Sequence, residues 1–289
     1  MTDPNFCPNP DSANLWCKKR RQQGKTIGLV PTMGALHDGH LTLVDKAVSD
    51  NELCVVSIFV NPLQFSQPED FNIYPRDIQQ DIRLLATRGC HMVFTGTLAE
   101  FFPAVANLEN IKMLEPGPYA AGLEGLYRPG HFAGVKTIVD RLFATVHPDK
   151  AYFGEKDFQQ TLVIQDLAEQ SGFPDIQVCA TQREVNGLAM SSRNQRLSAS
   201  QRQQAGRIYW ALLAARQAWR EGVREATMLA KIMHLELSKE AFNIEYAEVR
   251  DPQNWTAEKP DHVMRKAQAL IAINLDGVRL IDNMSLHEE

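Results

Sequence analysis

Two textures alternate along the first two thirds of this chain. Short apolar runs rich in β-branched residues are separated by longer stretches whose apolar positions recur every three or four residues. Residues 26–31 (TIGLVP) predict a buried strand, and Gly39 to Asp50 predict a helix with Leu41, Val44 and Val48 on one side. Residues 53–60 (LCVVSIFV) predict the clearest strand, closed by Asn61-Pro62. Residues 77–89 predict a helix with Ile78, Ile82 and Leu85 inward and Gly89 as its stop. Then come a strand at MVFTG (92–96), a helix over 134–146 ended by His147-Pro148, a strand at 151–154, a helix over 157–172 closed by Gly172, and a strand at 176–181.

Strands alternating with helices of about ten or more residues imply a parallel sheet covered on both faces. In such sheets, ligands sit at the carboxyl ends of the strands. The three most unusual segments, PTMGALHDGH, NPLQF and GEKD, each follow a predicted strand. After about residue 182 the pattern changes. REVNGLAMSSRNQRLS (183–198) is polar and glycine-marked, 198–242 reads as helical with a break near Gly222, and 244–251 and 269–283 alternate as strands do. Asp276-Gly277 between two alternating runs marks a hairpin. The expected fold is α/β: a Rossmann-like parallel sheet with helices on both faces over residues 1–182, plus a smaller C-terminal α+β domain over residues 183–289. There is no internal repeat and no low-complexity segment.

Composition narrows the class. The 289 residues carry 44% hydrophobic and 22% charged side chains, enough for sizeable cores. A formal net charge of −5 argues against a nucleic-acid footprint, which usually needs a basic domain. The five cysteines, Cys7, Cys17, Cys54, Cys90 and Cys179, are odd in number and irregularly spaced, which points to a reducing, cytoplasmic setting. The N-terminal residues lack the pattern of a secretory signal, and no apolar run approaches membrane-spanning length.

The candidate chemistry lies in the loops. In PTMGALHDGH, His37 and His40 stand three apart at the predicted start of a helix, so both rings lie near its N-terminus on a shared face. Free N–H groups and partial positive charge there suit phosphate, and neutral imidazoles can donate to phosphoryl oxygens. Two ordinary surface histidines are the alternative. A zinc reading is weaker, because the H-x-x-H spacing lacks the glutamate and the further ligands that zinc sites use. In GEKD, Lys156 directs a full charge toward the strand ends, with Asp157 as a helix cap; a solvated loop lysine is the alternative. In MSSRN (190–194), two hydroxyls and a guanidinium can wrap a triphosphate, against the blander reading of a serine-rich linker. Asn61 and Gln64 offer uncharged amides suited to hydroxyls and carboxylates, although Asn-Pro is also a common turn opener. Gln160 lies one turn along the helix from Lys156 and can reach the same pocket, or can equally be an exposed helix glutamine. His131, in the predicted loop YRPGHFAGV, is a weaker ligand candidate, and KKRRQQGK (18–25) reads as a solvated helix end.

Together and in this order, PTMGALHDGH, VVSIFVNPLQF, YPRD, RPGHFAGV, YFGEKDFQQ and GLAMSSRN resemble the pantoate–β-alanine ligase family, within the nucleotidylyltransferase-like group that carries an HxGH motif. The resemblance runs from about Thr26 to Leu197, and more loosely through RLIDN near the C-terminus. It implies condensation of pantoate with β-alanine to pantothenate, driven by ATP with Mg²⁺ through a pantoyl adenylate, and usually a homodimer; neither nucleic acid nor membrane is an implied partner. Met33, Gly34, Ala35, Leu36, His37, Asp38, Gly39, His40, Gly154, Glu155, Lys156, Asp157, Gln182, Met190, Ser191, Ser192 and Arg193 are then the nucleotide contacts. His37, His40, Lys156, Ser191 and Arg193 are the catalytic set, with His40 as the family's proton donor. Asn61, Gln64 and Gln160 hold pantoate, and the resemblance names no protein ligand for the metal. The chain departs from the family at Gln182, where an aliphatic residue often precedes the Arg-Glu pair, and at GTLAEFFP (96–103), which stands for a PT-x-x-E-M-Y-P segment. Two other classes compete. A transferase moving AMP to a phosphorylated acceptor would want extra basic residues in the acceptor pocket. A non-catalytic ATP sensor would not need Lys156 and both histidines.

Overall fold

The computed structural model describes residues 3–66 and 68–287. Among them, packing separates two compact units. The first comprises the stretch ending at Ala120 together with Arg128–Glu155 and Gln159–Ala180. The second comprises Ala121–Tyr127, Lys156–Phe158 and the stretch from Thr181 onward. The second unit therefore includes two short excursions from the N-terminal part of the chain, which a single linear boundary after residue 182 does not separate out.

The first unit is built on strands β1 (Asn5–Cys7), β2 (Ile27–Thr32), β3 (Leu53–Ile58), β4 (Met92–Phe94), β5 (Lys150–Gly154) and β6 (Asp175–Cys179). They form one sheet in the order β1-β4-β3-β2-β5-β6, parallel throughout. Helices α1 (Pro10–Arg21), α2 (Asp38–Asp50), α3 (Pro68–Asn72), α4 (Ile78–Thr87), α5 (Leu98–Phe101), α7 (His131–Val146) and most of α8 (Phe158–Ser171) complete it, α6 (Leu123–Tyr127) belonging to the second unit. The period-2 alternation of a strand divides the core in two. Ile27, Leu29 and Val55 face a cluster with Val135, Ile138 and Leu142 of α7 and Ala13 and Cys17 of α1. Val30, Cys54 and Val56 face Leu41, Val44 and Ala47 of α2 and Leu85 of α4. The expected doubly covered parallel sheet is what the chain forms.

At the N-terminus a helix end was expected over 18–25, and α1 supplies it, but strand β1 and the start of α1 were not expected. Strand β1 pairs with β4 at the sheet edge. Helix α1 starts at an Asn9 cap whose side chain accepts from the Ser12 N–H at 2.9 Å, with Pro10 in its first position. Its last turn carries Lys18, Lys19, Arg20 and Arg21, which favours a helix C-terminus. Helix α7 begins at His131 rather than at Gly134, after Gly130 in the left-handed region (φ 81°), so the expected loop is shorter and His131 is helical. Strands β3, β4 and β6 each end two residues earlier than expected, before Phe59, Thr95 and Ala180.

The second unit carries an antiparallel sheet of β7 (Asn243–Arg250), β8 (Gln268–Leu275) and β9 (Val278–Ser285), in that order. Helices α9 (Ala199–Ala205), α10 (Arg207–Arg220) and α11 (Ala226–Leu237) split the expected helical stretch at Gly206 as well as near Gly222. Ile208, Leu212, Leu229 and Met233 pack on Ala269, Ile271 and Leu280 of the sheet. Asp276 (φ 49°) and Gly277 (φ 83°) are both left-handed, the two-residue hairpin turn that Asp-Gly implies. Among the described residues, no helix is long and apolar enough to cross a membrane.

Candidate active site

In the first unit, chemistry gathers where β2, β3 and β4 end. Past Thr32 the chain makes a tight turn, with Gly34 (φ 81°) and Ala35 (φ 51°) both left-handed. A side chain at Gly34 would meet Asp81 Oδ2 at 2.9 Å. Asp81, buried on α4, explains the turn: its carboxylate accepts the N–H groups of Ala35 at 3.0 Å and Leu36 at 2.8 Å. Burial raises the Asp81 pKa, and those two hydrogen bonds oppose the rise. Thr32 adds a second brace, accepting from Gly34 N–H at 3.2 Å while its hydroxyl donates to the Ser57 carbonyl at 2.8 Å.

The braced turn delivers His37 as the cap of α2, with Asp38 and Gly39 in its first turn and His40 close behind. The two rings lie 4.0 Å apart, tilted by 37°. The His37 N–H donates to His40 Nδ1 at 3.4 Å. An Nδ1 that accepts leaves the proton of a neutral ring on Nε2, the outer nitrogen. His37, His40 and Met33 are all half-buried.

A cavity of about 280 Å³ opens at these same strand ends, lined by Met33, Gly34, Phe59, Phe71, Arg76 and Asp81 among others. Close by, Asn61 caps the turn Pro62–Gln64. Asn61 is 1% exposed, and its amide accepts from Leu63 N–H (3.2 Å) and donates to Gly134 O (3.2 Å) and Gln64 Oε1 (3.1 Å). Asn61 thus orients Gln64, whose Nε2 rests 3.0 Å from Met33 Sδ, a weak acceptor that a carboxylate or hydroxyl can replace. His131 is buried at the start of α7, 2.8 Å from the Gln64 carbonyl oxygen, and Arg128 reaches the same oxygen at 3.3 Å. His131 therefore supports this turn through its main chain. Gln160 is half-buried in the first turn of α8.

In the second unit, Lys156 and Asp157 lie in the 3₁₀ turn Glu155–Asp157 that follows Gly154, the last residue of β5. Lys156 Nζ is 3.2 Å from Asp157 Oδ1. Desolvation pushes the Asp157 carboxyl up, but Lys156 and Arg193 outweigh it, and its pKa lies below the ordinary value. Asp157, Lys156 and Arg193 thus share one electrostatic neighbourhood. Residues 182–190 form a hairpin-like turn: Met190 N–H bonds to Gln182 O, Glu184 N–H to Leu188 O, and Arg183 bridges to Ala189. Ser191 caps the following 3₁₀ turn, accepting from Arg193 N–H at 3.3 Å. Ser192 is buried, Met190 and Arg193 are half-buried, and the Gln182 side chain is exposed. Asn194, buried just beyond, ties the turn to Glu184 and Ala189 O.

Sequence reasoning overlooked Asp81, although the signal was there. Asp81 falls three residues after Ile78 and four before Leu85, on the inward stripe of α4. It noted Arg183 and the RLIDN segment but gave Arg183, Asp282 and Asn283 no role, because their partners are far away along the chain.

A family model described as pantoate-beta-alanine ligase matches residues 6–285. A pantothenate synthetase of Rhodopirellula baltica is 43% identical over 277 residues, covering 96% of this chain and 96% of that protein. The crystal structure of pantothenate synthetase from Thermus thermophilus superposes with a TM-score of 0.89 at 36% identity, covering 98% of this chain and 100% of that one. A Francisella tularensis pantoate-beta-alanine ligase, solved in complex with beta-gamma ATP and beta-alanine, gives a TM-score of 0.79 at 32% identity, with 99% of each chain covered.

Proposed function

We propose how the site residues divide the work on the premise that this chain belongs to the pantoate–β-alanine ligase family and catalyses the ATP-dependent ligation of pantoate to β-alanine. A pantoate carboxylate oxygen attacks the α-phosphorus of ATP. The bond to the bridging oxygen breaks, and pyrophosphate leaves. The β-alanine amine then attacks the acyl carbon of the pantoyl adenylate. The bond to AMP breaks, the nitrogen loses a proton, and pantothenate and AMP are released. Both steps are positioning and charge stabilisation.

The observation that carries this reading is the pair His37 and His40, 4.0 Å apart at the N-terminus of α2 on a turn braced by Asp81. Imidazole donors at a positive helix end suit the charge that grows on the departing pyrophosphate. Met33, Gly34, Ala35, Leu36, Asp38 and Gly39 form the approach of main chain to the nucleotide. Lys156 donates to the α-phosphate, and Ser191, Ser192 and Arg193 bind the triphosphate. Gly154, Glu155, Asp157, Gln182 and Met190 complete the nucleotide contacts. Gln64 and Gln160 bind pantoate, with Asn61 orienting Gln64. Mg²⁺ arrives with ATP as part of the substrate. Among the described residues, no three His, Cys, Asp or Glu side chains gather into a metal cage, which fits an ion held mainly by phosphates.

The protein works in the cytoplasm, in keeping with five free cysteines, and assembles as a homodimer, which light scattering on the purified protein will test. The decisive assay mixes protein, ATP, Mg²⁺, pantoate and β-alanine. AMP release dependent on both acids is expected, with pantoate alone supporting pyrophosphate exchange into ATP. AMP release without β-alanine dependence would overturn the ligase reading.

A further inference from the structure

The RLIDN segment places two polar residues in succession on β9. Successive side chains of a strand point to opposite faces, so a sheet covered on one side would leave one of the pair wet. Yet Asp282 is 3% exposed and Asn283 is 4% exposed. Burying polar groups is unfavourable unless each is hydrogen-bonded. Arg183 answers for Asp282. Asn283 has different partners. Its Oδ1 accepts from Gln268 Nε2 at 2.7 Å, and its Nδ2 donates to the main-chain carbonyl of Lys156 at 2.8 Å. Gln268 is itself 2% exposed. Because Gln268 engages the oxygen, the amide can face Lys156 only with its nitrogen.

We infer that Asn283 is a positioning residue for the reaction, acting through Lys156. Lys156 lies in a 3₁₀ turn, whose own hydrogen bonds are poorly aligned. Its ammonium sits at the end of a flexible four-carbon stem. A charge stabilises a transition state well only if it needs no reorganisation when the reaction occurs. Fixing the main chain of Lys156 from the adjacent strand restricts where that stem begins, and Asn283 supplies the anchor. The inference rests on the reading of Lys156 as a donor to ATP.

The test is a double-mutant cycle on pantoate-dependent exchange of labelled pyrophosphate into ATP. It uses the full chain with Asn283→Ala, Lys156→Ala and both together. Asn283→Ala is expected to lower the exchange kcat about 10- to 100-fold, the penalty of a misplaced catalytic group. In the Lys156→Ala background it should lower kcat by less than about 2-fold more, because the group it positions is gone. Equal losses in both backgrounds would mark a merely structural role and overturn the inference, as would wild-type exchange in Asn283→Ala. Wild-type exchange in Lys156→Ala would instead sink the reading of Lys156 itself. Asn283→Asp keeps the size and the acceptor for Gln268 but cannot donate, so it replaces the alanine variant if that one does not fold. If both variants melt below the assay temperature, the amide is structural and the inference falls.

Discussion

Arg183 grips Asp282 with both ends of its guanidinium, Nη1 to Oδ2 at 2.6 Å and Nη2 to Oδ1 at 3.1 Å. The same guanidinium lies 4.5 Å over the ring of Tyr209 and donates to Gly187 O at 3.0 Å. The Asp282 side chain is 1% exposed and the Arg183 side chain 19%. Removing the carboxylate leaves a largely buried guanidinium with only carbonyl acceptors and the Tyr209 face in place of an opposite charge. Asp282→Asn is therefore expected to lower unfolding free energy by about 3–5 kcal/mol, while the apolar double variant Arg183→Met with Asp282→Leu should lose much less. Urea titration of the three proteins checks this, and an unchanged midpoint for Asp282→Asn would contradict it.

The approach of α7 to the Pro62–Gln64 turn depends on one missing side chain. A Cβ on Gly134 would stand 2.1 Å from Leu63 O and 2.8 Å from Gln64 N, both rigid main-chain atoms. Gly134→Ala must push the turn away and disturb the Asn61–Gly134 bond. The expected loss is about 1–3 kcal/mol of stability, accompanied by a raised KM for pantoate with little change in KM for ATP. Steady-state kinetics varying each substrate in turn separate the two.

Lys156→Ala removes a charge that the proposed mechanism places at the α-phosphate. Pantoate-dependent pyrophosphate exchange should fall by about 10²–10³, the range for losing one stabilising donor. Near-normal exchange would remove Lys156 from the catalytic set.

The Asp157 carboxyl has its pKa held below the ordinary value, Lys156 and Arg193 outweighing the effect of burial. In the acid range the unfolded chain therefore binds more protons at this position than the native one. The stability Asp157 contributes is full above its unfolded pKa of about 4 and is lost as pH falls through the lower native value. Asp157→Asn should accordingly flatten the decline of Tm below about pH 4. A decline as steep as that of the parent protein would rule out this linkage.

The parts of the site that were legible in the sequence are those whose chemistry is local. His37 and His40 owe their proximity to helical spacing, and Lys156 and Asp157 to adjacency along the chain. Local capping likewise relates Ser191 to Arg193. Asn61 was read as a pantoate contact, with turn opening as the alternative; its buried amide caps the turn and orients Gln64. His131 read as a loop residue because the helix start at Gly130 depends on a left-handed backbone that proline and glycine spacing only hints at. Strand β1 was invisible because three residues at a sheet edge carry too little periodicity to register.

By itself the sequence determined the order and type of the main elements, since periods of 2 and 3.6 are set by backbone geometry and need no partner. The motif set likewise identified the chemistry, because loops at strand ends carry it in contiguous residues. Only the tertiary structure decided what holds those loops still. The Asp81 carboxylate bridges 45 residues to Leu36, Arg183 bridges 99 to Asp282, and Asn283 bridges 127 to the Lys156 carbonyl. These bonds satisfy buried polar groups, and which group will be buried next to which depends on how the layers pack. No local pattern encodes that outcome, because each partner alone looks like an ordinary polar residue on a helix, a turn or a strand.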